Sequence, residues 1–161
     1  MKKLFCLLLL VAFSVPAYSA QQWEIVEAPE GSGAKWMAGV ANAQGDSLGI
    51  WRKIVRIKFE AIGELVLKGA KLPKNAALEY RVDGGQSVSL DVIEQKGNRI
   101  LWRVWSSSSN EIFENDALWY LARGSQMEVS WEDANGTVQT HSFTLKGSGK
   151  ALSRVISGSY Q

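Results

Sequence analysis

Cysteine and histidine are nearly missing from this chain of 161 residues, which has one of each and only three prolines. Cys6 lies in the apolar run that opens the sequence, so everything beyond residue 20 is free of thiols. No disulfide can staple that part, and neither a thiolate nucleophile nor a thiolate metal site is open to it. A single histidine without cysteine cannot supply the Cys/His ligand set of a zinc centre. Any Ser-His-Asp arrangement must use His141, and no G-x-S-x-G elbow surrounds a serine. His141 falls in phase with Phe143 and Leu145, which favours a structural histidine, partly buried or at an edge. The sequence also lacks any apolar run of the roughly 20 residues needed to cross a bilayer as a helix.

Charge of one sign is scarce too. There are 18 basic and 16 acidic side chains, a formal +2, and two of the basic ones are Lys2 and Lys3. These precede an apolar run from Leu4 to about Val15, then Pro16 and small residues, the layout of a secretory signal peptide. Residues 1–20 are therefore read as a leader, with a mature start at Ala20 or Gln21. The expected destination is the periplasm, with release beyond the cell as the alternative. Without Lys2 and Lys3, 18 less two leaves 16 cations against 16 carboxylates. That balance excludes the net basic surface of a nucleic-acid-binding protein. The stripe Arg52, Lys53, Arg56, Lys58 is the only local basic concentration, read as a solvated sheet face rather than an anion site.

What is abundant is alternation of period two, broken by turn residues. Val55–Ala61 alternates as one strand, and Leu78–Val82 as another. Asp83-Gly84-Gly85 then offers a hairpin turn, with Val88, Leu90 and Val92 on the return strand. A turn at Lys96-Gly97-Asn98 leads into Arg99–Trp105, so three strands are expected to form a meander. Met127, Val129 and Trp131 open a second hairpin whose Asn135-Gly136 favours a type I′ turn and whose partner runs from Thr137 to Leu145. Earlier strands are expected at Trp23–Ala28, Met37–Ala43 and Ser47–Arg52. Two segments depart from the alternation: Ala117–Arg123, capped by Asn115-Asp116 and stopped by Gly124, and Lys150–Ser157, stopped by Gly158. The expected architecture over residues 21–161 is mainly β, a single antiparallel sandwich or open barrel with one or two short helices.

Tryptophan is the surplus, seven in all. Trp102 shares a strand face with Ile100 and Val104, and Trp131 with Met127 and Val129, so both belong to a core. Trp105 counts onto the other face, with Arg103 and Leu101, just before the serines 106–109. Trp119 and Tyr120 are neighbours on a short helix that is nearly all apolar. Exposed Trp beside Arg suits protein contacts, in which both residue types are enriched, or sugar stacking. Arg103, Trp105, Trp119 and Tyr120 are thus the candidate binding residues. The acidic segment Glu132–Gly136 lacks the later bidentate glutamate of a calcium loop and reads as the hairpin turn. Neither a catalytic set nor a cofactor motif emerges.

The succession Tyr80-Arg81-Val82-Asp83, Leu101–Ser107, Ile112-Phe113, Leu118–Leu121, Met127-Glu128-Val129 and Phe143–Gly147 with Ala151-Leu152 resembles the small exported proteins of the type VI secretion-associated accessory family. The tail is similar to that of invasion-associated locus B proteins. Neither group's usual cysteines occur beyond residue 20. The resemblance implies a periplasmic β-sandwich without catalytic residues that acts through protein contacts, and it marks no individual residue. The function expected is non-enzymatic recognition of another envelope or secreted protein, with a glycan ligand as the alternative and no stable membrane insertion.

Overall fold

The computed structural model describes residues 21–56, 58–106 and 117–158. They form ten strands and two helices in the order β1 (Glu24–Glu27), β2 (Trp36–Ala41), β3 (Ser47–Val55), β4 (Lys58–Val66), β5 (Leu78–Val82), β6 (Val88–Ser89), β7 (Asp91–Lys96), β8 (Arg99–Ser106), α1 (Ala117–Arg123), β9 (Gln126–Glu132), β10 (Val138–Thr144) and α2 (Ser148–Ser157). A six-stranded sheet runs β1-β2-β3-β4-β8-β7 and a four-stranded sheet runs β10-β9-β5-β6, with every pairing antiparallel. This is the mainly β sandwich that the alternation implied.

Alternation places Leu48, Ile50, Leu65, Ile100 and Trp102 of the larger sheet in one buried cluster with Met127, Val129 and Phe143 of the smaller. The layers touch where the Tyr80 and Trp102 rings meet at 5.6 Å between centroids. Gly63 pairs with Trp102 across β4 and β8, and its missing side chain leaves room for the indole. On α2, Ala151, Leu152 and Val155 are buried, and Gly158 ends the helix at φ 72°. Ser148, fully buried, donates from Oγ to the Leu121 carbonyl at 2.6 Å and fastens α2 to α1. The proposed cap of α1 at Asn115-Asp116 lies outside the described residues.

Four local expectations are corrected. Val55–Ala61 is not one strand: the chain reverses at Arg56, φ 58°, and β3 and β4 pair from Val55–Lys58 inward. The meander is interrupted as well. After a tight turn with both Asp83 (φ 51°) and Gly84 (φ 69°) left-handed, β6 pairs with β5, but the chain then crosses at Leu90 into the other sheet as β7. Asn135-Gly136 does not form a type I′ turn. Gly136 alone is left-handed there, and its N–H donates to the Asp133 carbonyl, a three-residue loop in place of a two-residue one. The Asp133 carboxylate accepts from Asn135 N, Thr137 N and Gln139 Nε2, and these bonds, the Asn135 bond first, hold it below the usual aspartate range. Finally, α2 begins two residues earlier than expected, at Ser148.

Candidate functional site

The four candidate residues do not form one patch. Ala61 pairs with Trp105 and Ile62 with Arg103, so Val104 is an extra residue in β8. A bulge of this kind resets the alternation. Trp105 therefore turns inward, 8% exposed, with its ring 4.8 Å from Phe59. This corrects the expectation that it shares an open face with Arg103. Arg103 stays on the outer face, donating to Asp91 Oδ2 at 2.7 Å and Glu60 Oε1 at 3.3 Å. The hydrogen bond to Asp91 pushes its guanidinium above the ordinary arginine value, and the charge is already satisfied locally by Asp91 and Glu60. Trp119 is half-buried, with the Arg123 guanidinium 3.4 Å over its ring. It lines an apolar groove of about 370 Å³ between the helices with Phe59, Leu118, Leu152 and Ile156. Phe59 thus links Trp105 to Trp119. Tyr120, 44% exposed, is the one candidate presented openly to solvent.

Because Trp105 is core, Trp105→Ala is expected to act on stability, by about 3 kcal/mol as for other buried aromatics. Tyr120→Ala should leave the melting temperature within about a degree or two, since exposed substitutions cost under about 0.5 kcal/mol. A thermal melt of the two variants side by side checks this difference.

The open side of the sandwich is the one that sequence reading missed. The opposite side is closed: Asn42 Nδ2 donates to the Ser142 carbonyl at 3.1 Å and Trp23 Nε1 to the Thr144 carbonyl at 2.8 Å, so side chains just before β1 and just after β2 cap the C-terminal end of β10. Where β6 and β7 end their sheets, Val88, Val92 and Ile93 are all exposed, Ile93 to 48%. Only Leu90, at the crossing point, is buried. Its N–H donates to the Leu78 carbonyl, and the Val92 N–H donates back to Leu90, which bends the chain from one sheet to the other. A register shift between Val92 and Glu94 sets Ile93 outside the alternation. Charges flank the aliphatic strip: Asp91 on Arg103, and Glu94 on Lys96 at 2.7 Å, a hydrogen bond that holds Glu94 below the usual glutamate range. The sequence signal was the Val88-Ser89-Leu90-Asp91-Val92 alternation itself, which cannot show that a strand changes sheets midway.

A second polar cluster lies at the closed side. Asp46, fully buried in the β2–β3 turn, accepts from Lys68 N at 2.8 Å, Asn42 Nδ2 at 2.6 Å and His141 Nδ1 at 2.7 Å. Here the bond orients His141 Nδ1 as donor toward the carboxylate. The imidazole packs edge-on to Trp131 at 4.9 Å, beside a groove of about 330 Å³ lined also by Lys68, Lys71, Asp133 and Gln139. An Asp-His pair can orient a proton acceptor, yet no Ser, Thr or Cys lines this groove. Its three bonds join the β2–β3 turn, the segment after β4 and β10, a clasp between the sheets. Among the described residues no group of three His, Cys, Asp or Glu side chains could hold a metal ion, and no helix is long and apolar enough to cross a membrane.

Compared with known proteins, the chain matches no family model, no curated protein and no solved structure. The fold and the open edge therefore define it only as an antiparallel β-sandwich with an aliphatic strip on one side.

Proposed function

We propose that this is an exported, non-enzymatic envelope protein that recognises another protein through the β6–β7 side of its sandwich, as an accessory to secretion. The observation that carries the reading is the exposed strip Val88, Val92 and Ile93, rimmed by Asp91, Glu94 and Lys96. An apolar centre with a charged rim is the usual anatomy of a protein contact. Of the other edges, β10 is capped by Asn42 and Trp23, and β1 is only four residues long and carries Glu24 and Glu27. Short, charged or covered edges resist pairing with other chains. Of the exposed aliphatics, Val88, Val92 and Ile93 cluster on the β6–β7 side, whereas Val138 stands alone at the start of β10. Lys2, Lys3 and the apolar run that follows support export, and the resemblance to secretion-associated accessory proteins supports the role.

Sugar stacking finds less support, because Trp105 is buried and Arg123 covers a face of the Trp119 ring. The edge reading is tested by Val92→Lys with Ile93→Lys, which puts two charges into the strip without touching the core. Partner recovered from a periplasmic extract should fall at least tenfold, with the melting temperature unchanged. Undiminished recovery by the double variant would remove the edge from consideration.

A further inference from the structure

We infer that the tip of the β3–β4 hairpin is a docking surface for an anionic phospholipid bilayer, a contact independent of the β6–β7 side. Alternate residues of a strand face opposite sides of a sheet, so one side of a hairpin lying on the body should be covered. Here Lys53, Ile54, Val55, Arg56 and Lys58 are all exposed, and the hairpin must project beyond the sandwich with both faces in solvent. Its apolar members are among the most exposed large hydrophobics described, Ile54 at 65% and Val55 at 42%. Between residues 52 and 59 there are four cations and no carboxylate, in a chain whose charges otherwise balance. Arg52 is committed to the base of the hairpin, its guanidinium 4.7 Å over the Phe59 ring. Lys53, Arg56 and Lys58 take part in none of the ion pairs of the described residues, and the nearest carboxylate in sequence, Glu60, accepts from Arg103.

The turn adds an independent argument. A two-residue connection between paired strands prefers Asn-Gly or Gly-containing pairs, because positive φ disfavours residues with a Cβ. The residue that follows β3 is Arg56, and it sits at φ 58°. A cation stands where turn chemistry asks for glycine or asparagine, and such local violations concentrate at functional sites. None of its exposed residues lines the grooves beside α1, α2 or His141. Protein hot spots favour Trp, Tyr and Arg in fitted pockets. Aliphatic side chains at an apex with lysine and arginine around them suit the headgroup region of a bilayer instead. There the aliphatics reach the acyl boundary while the long cationic side chains meet phosphates.

Co-sedimentation with phosphatidylglycerol-containing vesicles and with pure phosphatidylcholine vesicles, at low and high salt, tests the assignment. Each lysine or arginine at an anionic surface contributes about fivefold to partition, so three give roughly a hundredfold preference for the anionic vesicles, lost as salt rises. Changing Lys53, Arg56 and Lys58 together to glutamate should abolish that preference. Ile54→Ser with Val55→Ser should weaken binding about tenfold while keeping the salt dependence. Arg56→Gly separates function from structure: it relieves the positive φ and should raise the melting temperature, while anionic-vesicle binding falls about fivefold. Equal binding to both vesicle types, or full binding by the glutamate variant, would overturn the proposal. So would binding of the tip to polyglutamate or DNA without binding to vesicles.

Discussion

Gly63→Ala is expected to cost the fold about 3 kcal/mol or more, although alanine is ordinarily no worse than glycine in a strand. A Cβ at this position would lie 2.2 Å from Trp102 Nε1 and 2.6 Å from Cε2. Those atoms belong to a rigid bicyclic ring that is 1% exposed, so no flexible end can move aside. Overpacking of about 1–3 kcal/mol is usual when one methyl group is forced into a tight core, and a contact this short lies at the upper end. The penalty outweighs the gain in unfolded-state entropy, which is under about 1 kcal/mol. Gly69→Ala provides the comparison. Its Cβ would meet nothing within 4 Å, and only its φ of 74° opposes the change. That variant should lose about 1 kcal/mol, as for other positive-φ positions. Urea denaturation of both measures the difference. If packing against Trp102 is the cause, Gly63→Ala combined with Trp102→Leu should cost less than the sum of the single changes.

Asp46→Ala should be comparably damaging, by about 3–5 kcal/mol. The carboxylate is fully buried, and its removal strands one of the two Asn42 Nδ2 hydrogens and the Lys68 N–H, each an unsatisfied donor worth about 1–3 kcal/mol. The loss spreads, because Asn42 also holds the Ser142 carbonyl and its Oδ1 accepts from Gln44 N and Asp46 N. His141→Ala should cost less, since the imidazole is part-exposed and water can replace it at the carboxylate. A double-mutant cycle across Asp46 and His141 is expected to show coupling of about 1–3 kcal/mol. Denaturation midpoints for the three variants give that number, and strict additivity would mean that the pair does not act as a clasp.

Much of the fold could be read from the residues because its signals are local. Leu78–Val82 followed by Asp83-Gly84-Gly85 announces a strand and a tight turn, and the hairpin with left-handed Asp83 and Gly84 is what forms. The helices at 117–123 and 148–157 stop at glycines as their sequences indicate. What escaped is what period-two counting cannot register. One inserted residue, Val104, turns Trp105 from the outer face to the core, and a second shift at Ile93 releases an aliphatic side chain to solvent. The reversal at Arg56 was hidden because neither Arg56 nor Ile57 is a turn former. The clasp was hidden for another reason: Asp46 and His141 are 95 residues apart, and only the closing of one sheet over the other brings them within 2.7 Å. A hint was available in Asn42 and Gly45 around Asp46, since a carboxylate in so tight a turn can accept from neighbouring backbone. Of the four candidate site residues, Arg103 and Tyr120 lie on the surface as their pattern suggested, Trp119 is half-buried, and Trp105 is not on the surface at all.

The proposed recognition role rests on one side of the sandwich being open to a partner while the other is capped. The most direct measurement is photo-cross-linking in living cells, with benzoylphenylalanine placed singly at Ile93 on the open side and at Thr140 on the capped strand. The expected result is a discrete protein adduct from position 93, absent from position 140 and lost when Val92 becomes lysine. Adducts from position 140 alone, or no adduct from position 93 in exported protein, would contradict it.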